Sequence, residues 1–309
     1  MPPFFTVIIP THNRVNMLGE AIQSVLNQSD SDFELIVVDD HSNDNTAQYV
    51  KKINDTRIKY ILNDRKNGGG GARNAGIFRA RGEWVAFLDD DDLWMPEKLA
   101  VFRKEILRDN QHIGLFYTSF FICDSETLQI KSTIKPNKAG WISQDLLYKN
   151  YIASFSCVVI RTDLLHKAEG LDERFLSLQD LDLFVRIAER TQVGFIEEPL
   201  VYIRKGHPNR ISTSMQKKLD GTLLFRAKHA AAIAQSRKLR HRIDSQIFVA
   251  ALHTKAWKTA RQTFPWTLAG LGIDLKNMGW VATDSAWAGY RHARSLSENL
   301  LGSTRNFAD

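Results

Sequence analysis

The chain has 309 residues, 43% of them apolar and 25% charged, the make-up of a globular protein with room for one large domain or for one domain plus a smaller one. No apolar run nears the roughly 20 residues of a membrane helix, and Met1-Pro2-Pro3-Phe4-Phe5 has no basic or cleavage-type region, so no signal peptide is expected. The formal net charge of +6 is uneven: residues 1–215 carry 26 Lys and Arg against 29 Asp and Glu, whereas residues 216–309 carry 15 against 6. The basicity therefore belongs to the C-terminal third and is no nucleic-acid footprint on the whole chain. Cys123 and Cys157 make neither a metal spacing nor a disulfide framework, and a cytoplasmic location is expected.

Phe5 to Pro10 is a β-rich run closed by proline and reads as a first strand. Thr11-His12-Asn13-Arg14 forms the turn, and Leu18, Ile22, Val25 and Leu26 then recur at helical spacing. Glu34 to Val38 is a second strand ending in Asp39-Asp40, followed by the turn and cap residues His41 to Thr46. A helix through Tyr49, Val50 and Ile53 and a strand at Arg57–Ile61 come next. Four glycines, Gly68 to Gly71, precede a short helix expected from Ala72 to about Arg81. They lack the order of a dinucleotide fingerprint and the Gly-Lys-Ser/Thr close of a P-loop. They read either as a close backbone approach to a ligand or as a flexible loop.

Trp84 to Leu88 is apolar throughout and reads as a strand buried on both faces. Four carboxylates, Asp89 to Asp92, follow it directly. Such a run repels itself unless a cation sits within it, and Mg²⁺ or Mn²⁺ suits carboxylate oxygen. Alternate residues of an extended chain point the same way, so Asp89 and Asp91 can face one site while Asp90 turns aside. The competing reading is a solvated acidic turn before a helix starting at Pro96. The order β-α-β-α-β-α-β indicates an α/β fold, a mostly parallel sheet flanked by helices. Its strand ends, Pro10-Thr11, Asp39-Asp40 and Asp89 to Asp92, meet on the edge where such sheets bind ligands.

Val7-Ile8-Ile9-Pro10-Thr11-His12-Asn13-Arg14, Leu35 to Ser42, Ala72-Arg73-Asn74-Ala75-Gly76 and Phe87 to Asp92, in this order, resemble the serial signatures of family 2 glycosyltransferases over about residues 4–210. The resemblance implies the Rossmann-like GT-A fold and a metal-dependent transfer of a sugar from a nucleotide-diphosphate donor, with inversion. It implies that Pro10 and Thr11 border the base and ribose, that Asp40 accepts a hydrogen bond from the base, usually uracil, and that Asp89 and Asp90 lie near the ribose and metal. Asp91 matches the metal-ligating acid, and Arg14 and Arg73 lie near the nucleotide. The alternative for both arginines is a structural role. The stretch Asn67 to Ala72 is about one residue shorter and richer in glycine than the family's usual form.

Further on, Ile113 to Tyr117 and Ser156 to Ile160 read as strands, 121–141 as irregular or antiparallel β, and Gln179 to Ala188 as a helix with Asp180 near its N-terminus. A carboxylate there is favoured by the helix dipole or serves as a cap. The resemblance makes Asp180 the general base, with Gln179 in place of the usual Glu. Asp182 is a structural acid or pairs with Arg186 at i+4. In the loop Lys205 to Ser212, the resemblance offers His207 to the metal or the diphosphate and Arg210 to the diphosphate.

Residues 1–215 are thus expected to form the nucleotide-sugar-binding catalytic domain, and 216–309 a basic, mainly helical C-terminal extension. One helix is expected through Leu223 to Ile233 and another through Ile247 to Ala256. Trp257, Trp266, Trp280 and Trp287 lie among basic residues, as does Arg237 to Arg242. This region either packs as a helical bundle or touches an anionic membrane face peripherally. The implied cofactor is Mn²⁺ or Mg²⁺. The implied partners are a nucleotide-sugar donor, by preference UDP-linked, and a saccharide or lipid-linked acceptor of surface polysaccharide or glycan assembly. Nucleic acid is not among them. The rival readings are a sugar-nucleotide nucleotidyltransferase, a metal-dependent phosphohydrolase and a non-catalytic membrane- or polymer-binding protein.

Overall fold

The computed structural model describes residues 1–65, 68–109, 112–206 and 214–270, the stretch 264–270 as backbone only. Among these the chain runs β1 (Phe5–Thr11), α1 (Val15–Leu26), β2 (Phe33–Asp39), α2 (Thr46–Lys52), β3 (Ile58–Leu62), α3 (Gly69–Ile77) and β4 (Trp84–Phe87). It continues through β5 (Leu93–Trp94), α4 (Lys98–Arg108), β6 (Ile113–Asp124), β7 (Ile130–Ile134), α5 (Ser143–Tyr148), β8 (Val158–Arg161), α6 (Thr162–Lys167), α7 (Gln179–Ala188) and β9 (Gln192–Lys205). A second group of helices follows: α8 (Met215–Lys228), α9 (Ala230–Ala234), α10 (Arg237–His253) and α11 (Trp257–Gly270). The two compact units are Met1–Arg210 and Ile211–Asp309.

In the first unit one mixed sheet has the order β3-β2-β1-β4-β8-β6-β9-β5, with β7 on the side of β6. The strands β3, β2, β1 and β4 are mutually parallel. β8 then pairs antiparallel with both β4 and β6, while β6 and β9 run parallel. Both faces of the parallel half are covered, which is why β1 and β2 are buried at every position. Phe5, Val7 and Ile9 share a core with Leu18, Ala21, Ile22 and Val25 of α1. Ile8, on the opposite face by strand alternation, meets α3 at Gly76.

Two expected boundaries move. The helix foreseen from Ala72 begins at Gly69, because Gly68 takes a positive φ of 116°, which glycine adopts freely, and Ala72 N donates to Gly68 O at 3.0 Å. The helix foreseen at Pro96 begins at Lys98. Gln28, just past the end of α1, donates to Met95 O (2.8 Å) and accepts from Leu99 N (3.0 Å), satisfying the first turn of α4 from outside it.

In the second unit, Leu219, Phe225, Ile233, Leu239, Ile243 and Ile247 are buried. The helix expected through Ile233 breaks at His229 into α8 and α9. Asp244 is buried beside Arg226 at 3.2 Å. Trp257 is exposed; Trp280, Trp287 and the side chain of Trp266 lie outside the described residues. No described helix is long and apolar enough to cross a membrane.

Candidate active site

The carboxyl ends of β1, β2 and β4 lie on one edge because the three strands are parallel. The register sets Thr11 beside Asp39 and Ile8 beside Phe87, so the residues just past Phe87 come level with Pro10 and Thr11. Thr11 Oγ1 accordingly donates to Asp90 Oδ2 at 2.8 Å. Arg14, in the turn after β1, donates through one nitrogen to Asp90 (2.9 Å) and Asp91 (3.1 Å). Burial opposes the charge on Arg14, but Asp90 and Asp91 outweigh it and its proton affinity ends raised.

Burial alternates along the acidic run: Asp89 and Asp91 are partly exposed, Asp90 and Asp92 buried. Carboxylate oxygens of Asp89, Asp91 and Asp92 lie within 4.8 Å of one another. Asp89 pairs with Arg73 of α3. Asp92 accepts from Ser156 Oγ (2.6 Å) and Arg204 N (3.2 Å). Burial, followed by the charges of Asp91 and Asp89, holds the Asp92 carboxyl well above the usual range. Burial likewise pushes Asp90 up to about 6, with Arg14 pulling the other way. A set of oxygen-only ligands clustered this closely fits a hard divalent cation. Asp92 is buried, whereas Asp89 and Asp91 are partly exposed, which makes these two the better placed donors.

Arg73 is 6% exposed. Its guanidinium lies 4.4 Å from the Phe155 ring centroid and donates to Gly69 O as well as to Asp89. Asp40 accepts from Asn63 Nδ2 (2.6 Å) and Gly68 N (2.7 Å), which joins the end of β2 to the start of α3. Asp180 stands in the first turn of α7 and its Oδ2 faces Asn150 Nδ2 at 3.3 Å. Burial raises its proton affinity, while the Leu181 N–H and the charge of Arg73 lower it and Asp89 adds to it. Asp89 of the acidic run and its partner Arg73 thus both act on Asp180.

A model of the family "Glycosyl transferase family 2" matches residues 6–168.

The chain belongs to that family.

It is 33% identical over 230 residues to the provisionally assigned colanic acid biosynthesis glycosyl transferase WcaA of Escherichia coli K12, covering 74% of this chain and 81% of that one. It is 34% identical over 191 residues, 62% of this chain and 72% of that one, to the UDP-Glc:alpha-D-GlcNAc-diphosphoundecaprenol beta-1,3-glucosyltransferase WfgD of Escherichia coli. Residues 1–349 of S. aureus TarS, solved with UDP-GlcNAc, superpose with a TM-score of 0.60 at 19% identity, over 85% of this chain and 89% of that chain. That likeness shows the GT-A fold.

In this glycosyltransferase, then, Thr11, Arg14, Asp90 and Asp91 form one bonded group, and Arg73 and Asp89 a second. Asp40 connects to α3, and Pro10, one residue before the end of β1, stands beside Val38. His207 and Arg210 fall outside the described residues, as does Asn67. Sequence reasoning missed Asn63, Asn150, Ser156 and Arg204. Arg204, at 2% exposure, holds Asp91 O through Nε at 2.7 Å and Glu20 through Nη1 at 2.5 Å. Its one visible sign was an arginine closing an apolar strand. The other three are short polar residues in turns, where the common pattern is local capping.

Proposed function

We propose that this glycosyltransferase moves a sugar from a nucleotide-diphosphate donor, a UDP-sugar by preference, to an acceptor hydroxyl, with inversion and with a divalent cation. The acceptor is a saccharide or a lipid-linked glycan intermediate of surface polysaccharide assembly. The observation that carries this reading is the connected edge from Asp40 through Gly68, Arg73 and Asp89 to the neighbourhood of Asp180. It offers a nucleotide-binding carboxylate, cation-binding carboxylates and a partly exposed base in sequence.

In this reading Pro10, Thr11 and Asp40 bind the nucleoside, and Asp89 and Asp90 stand near the ribose and metal. Asp89 and Asp91 hold Mn²⁺ or Mg²⁺, with Asp92 behind them and His207 as a further candidate. When bound, the cation supplies Lewis-acid stabilisation of the leaving diphosphate. Arg14 and Arg73 can each turn a guanidinium N–H toward the same negative charge. Asp180 accepts the proton of the attacking hydroxyl, whose oxygen bonds to the anomeric carbon as the diphosphate departs from the opposite face. The domain proposal pairs a catalytic 1–215 with a basic 216–309, whose Arg237 to Arg242 stretch is offered to an anionic lipid face.

WfgD is described as using UDP-Glc and a diphosphoundecaprenol-linked acceptor, which supports both the donor class and the lipid-linked acceptor. Incubation with a UDP-sugar labelled in its β-phosphate and sugar tests the reading. Release of UDP with an inverted anomeric centre in the product, seen by NMR, is the expected result. Release of the labelled sugar 1-phosphate, with the UMP group transferred, would instead indicate nucleotidyl transfer, and retained configuration would overturn the in-line displacement.

A further inference from the structure

We propose that Asn150 is a positioning residue for Asp180: its side-chain amide aims the carboxylate at the acceptor and favours its ionised form. The proposal rests on the reading of Asp180 as the base. Asn150 follows α5 and is locked by its own turn. Its Oδ1 accepts from Ile152 N and Ala153 N, each at 3.0 Å. With the oxygen fixed by two backbone donors, the amide orientation is decided and its NH₂ must point the other way. That NH₂ reaches Ala153 O at 3.4 Å and Asp180 Oδ2 at 3.3 Å. The latter is long for a hydrogen bond, as catalytic contacts often are before substrate binds.

The segment is anchored at its far end as well. Ser154 Oγ approaches Asp89 Oδ2 at 3.4 Å, and Ser156 Oγ donates to Asp92 and accepts from Asp89 N. One short stretch therefore touches Asp180 at its start and the acidic run at its end. Arg73 from α3 and Asp89 after β4 act on Asp180. On its own helix Asp182 is engaged by Arg186 (2.9 Å), and on α5, which packs against α7, Asp145 is engaged by Lys138 (2.8 Å). A carboxylate whose burial favours the neutral form needs donors to stay ionised. Asn150 is a neutral donor, which adds no net charge that would draw the diphosphate toward the base.

The test compares full-length wild type, Asn150→Ser, Asn150→Asp and Asp180→Asn, with thermal melts to report folding. Serine keeps an oxygen for the turn but does not reach Asp180. Aspartate keeps both turn bonds and sets a second carboxylate against the first. The expected result is a fall in kcat of about tenfold or more for Asn150→Ser, with the donor KM within about twofold. The acid limb of kcat/KM should move to higher pH in both variants, further in Asn150→Asp, which regains activity at alkaline pH. A merely structural role would lower the plateau and leave the limb in place, and that outcome overturns the proposal. Should the turn not tolerate serine, Asn150→Asp carries the test alone. Near-normal turnover in Asp180→Asn sinks the base reading itself. A dead Asp180→Asn beside Asn150 variants with wild-type pH profiles removes only the role of Asn150.

Discussion

Lys98 opens α4 with its side chain fully buried. Its Nζ stands 4.0 Å from the ring centroid of Phe102 and 4.4 Å from that of Trp94, with no hydrogen-bond partner among the described residues. Two aromatic faces attract a cation, but they do not replace the lost water, and burial brings the amine down to about 7. An unfolded lysine titrates near ~10.4. Below about pH 7 both states carry the proton and the burial cost is present in full. Between about 7 and ~10.4 the folded protein has shed its proton while the unfolded chain keeps one, so stability rises with pH across that window. Lys98→Met is expected to stabilise the fold at neutral pH, on the order of a few kcal/mol, and to remove the rise. Urea unfolding from pH 6 to 10 measures both. An unchanged slope in the variant would mean that another group titrates there.

α3 shows how one element serves the site with successive side chains. Arg73 reaches Asp89, while Asn74 bonds Leu171 O, Leu171 N and Glu173, and so fixes the turn ahead of α7. Gly76 lets the helix lie against β1: a Cβ there would stand 2.7 Å from Ile8 Cγ2. Gly76→Val is therefore predicted to destabilise by about 1–3 kcal/mol through overpacking, read as a lower urea midpoint. An unmoved midpoint would show that Ile8 yields at no cost. Much of α3 was legible in the sequence, since Ala72 to Gly76 carries a family signature. Its start was not, because glycines have poor intrinsic helix propensity and the contact that fixes them, Gly68 N to Asp40, spans 28 residues. The start of α4 was hidden for the same reason, being set by Gln28, just past the end of α1.

Across the whole molecule, the strand ends could be read in advance. Each acid follows an apolar run, and parallel strands deliver their ends to one edge. The pairings within that edge could not be read. Arg14 meets Asp90 across 76 residues, and Arg204 meets Asp92 across 112. Which carboxylates face outward therefore depends on partners that no local pattern reveals. The unevenness of charge was plain from composition, and the basic helices form a unit with their own buried residues. The central claim is that clustered carboxylates bind a cation-held sugar nucleotide at this edge while a separate carboxylate performs the deprotonation. Calorimetric titration of the full-length protein with a UDP-sugar, in Mn²⁺ and in EDTA, tests it most directly. Donor affinity should be at least about tenfold tighter with Mn²⁺, a difference of about 1.4 kcal/mol. Asp91→Ala should lose that difference and Asp180→Asn should keep it. Equal affinity with and without the ion in the wild-type protein would contradict the account.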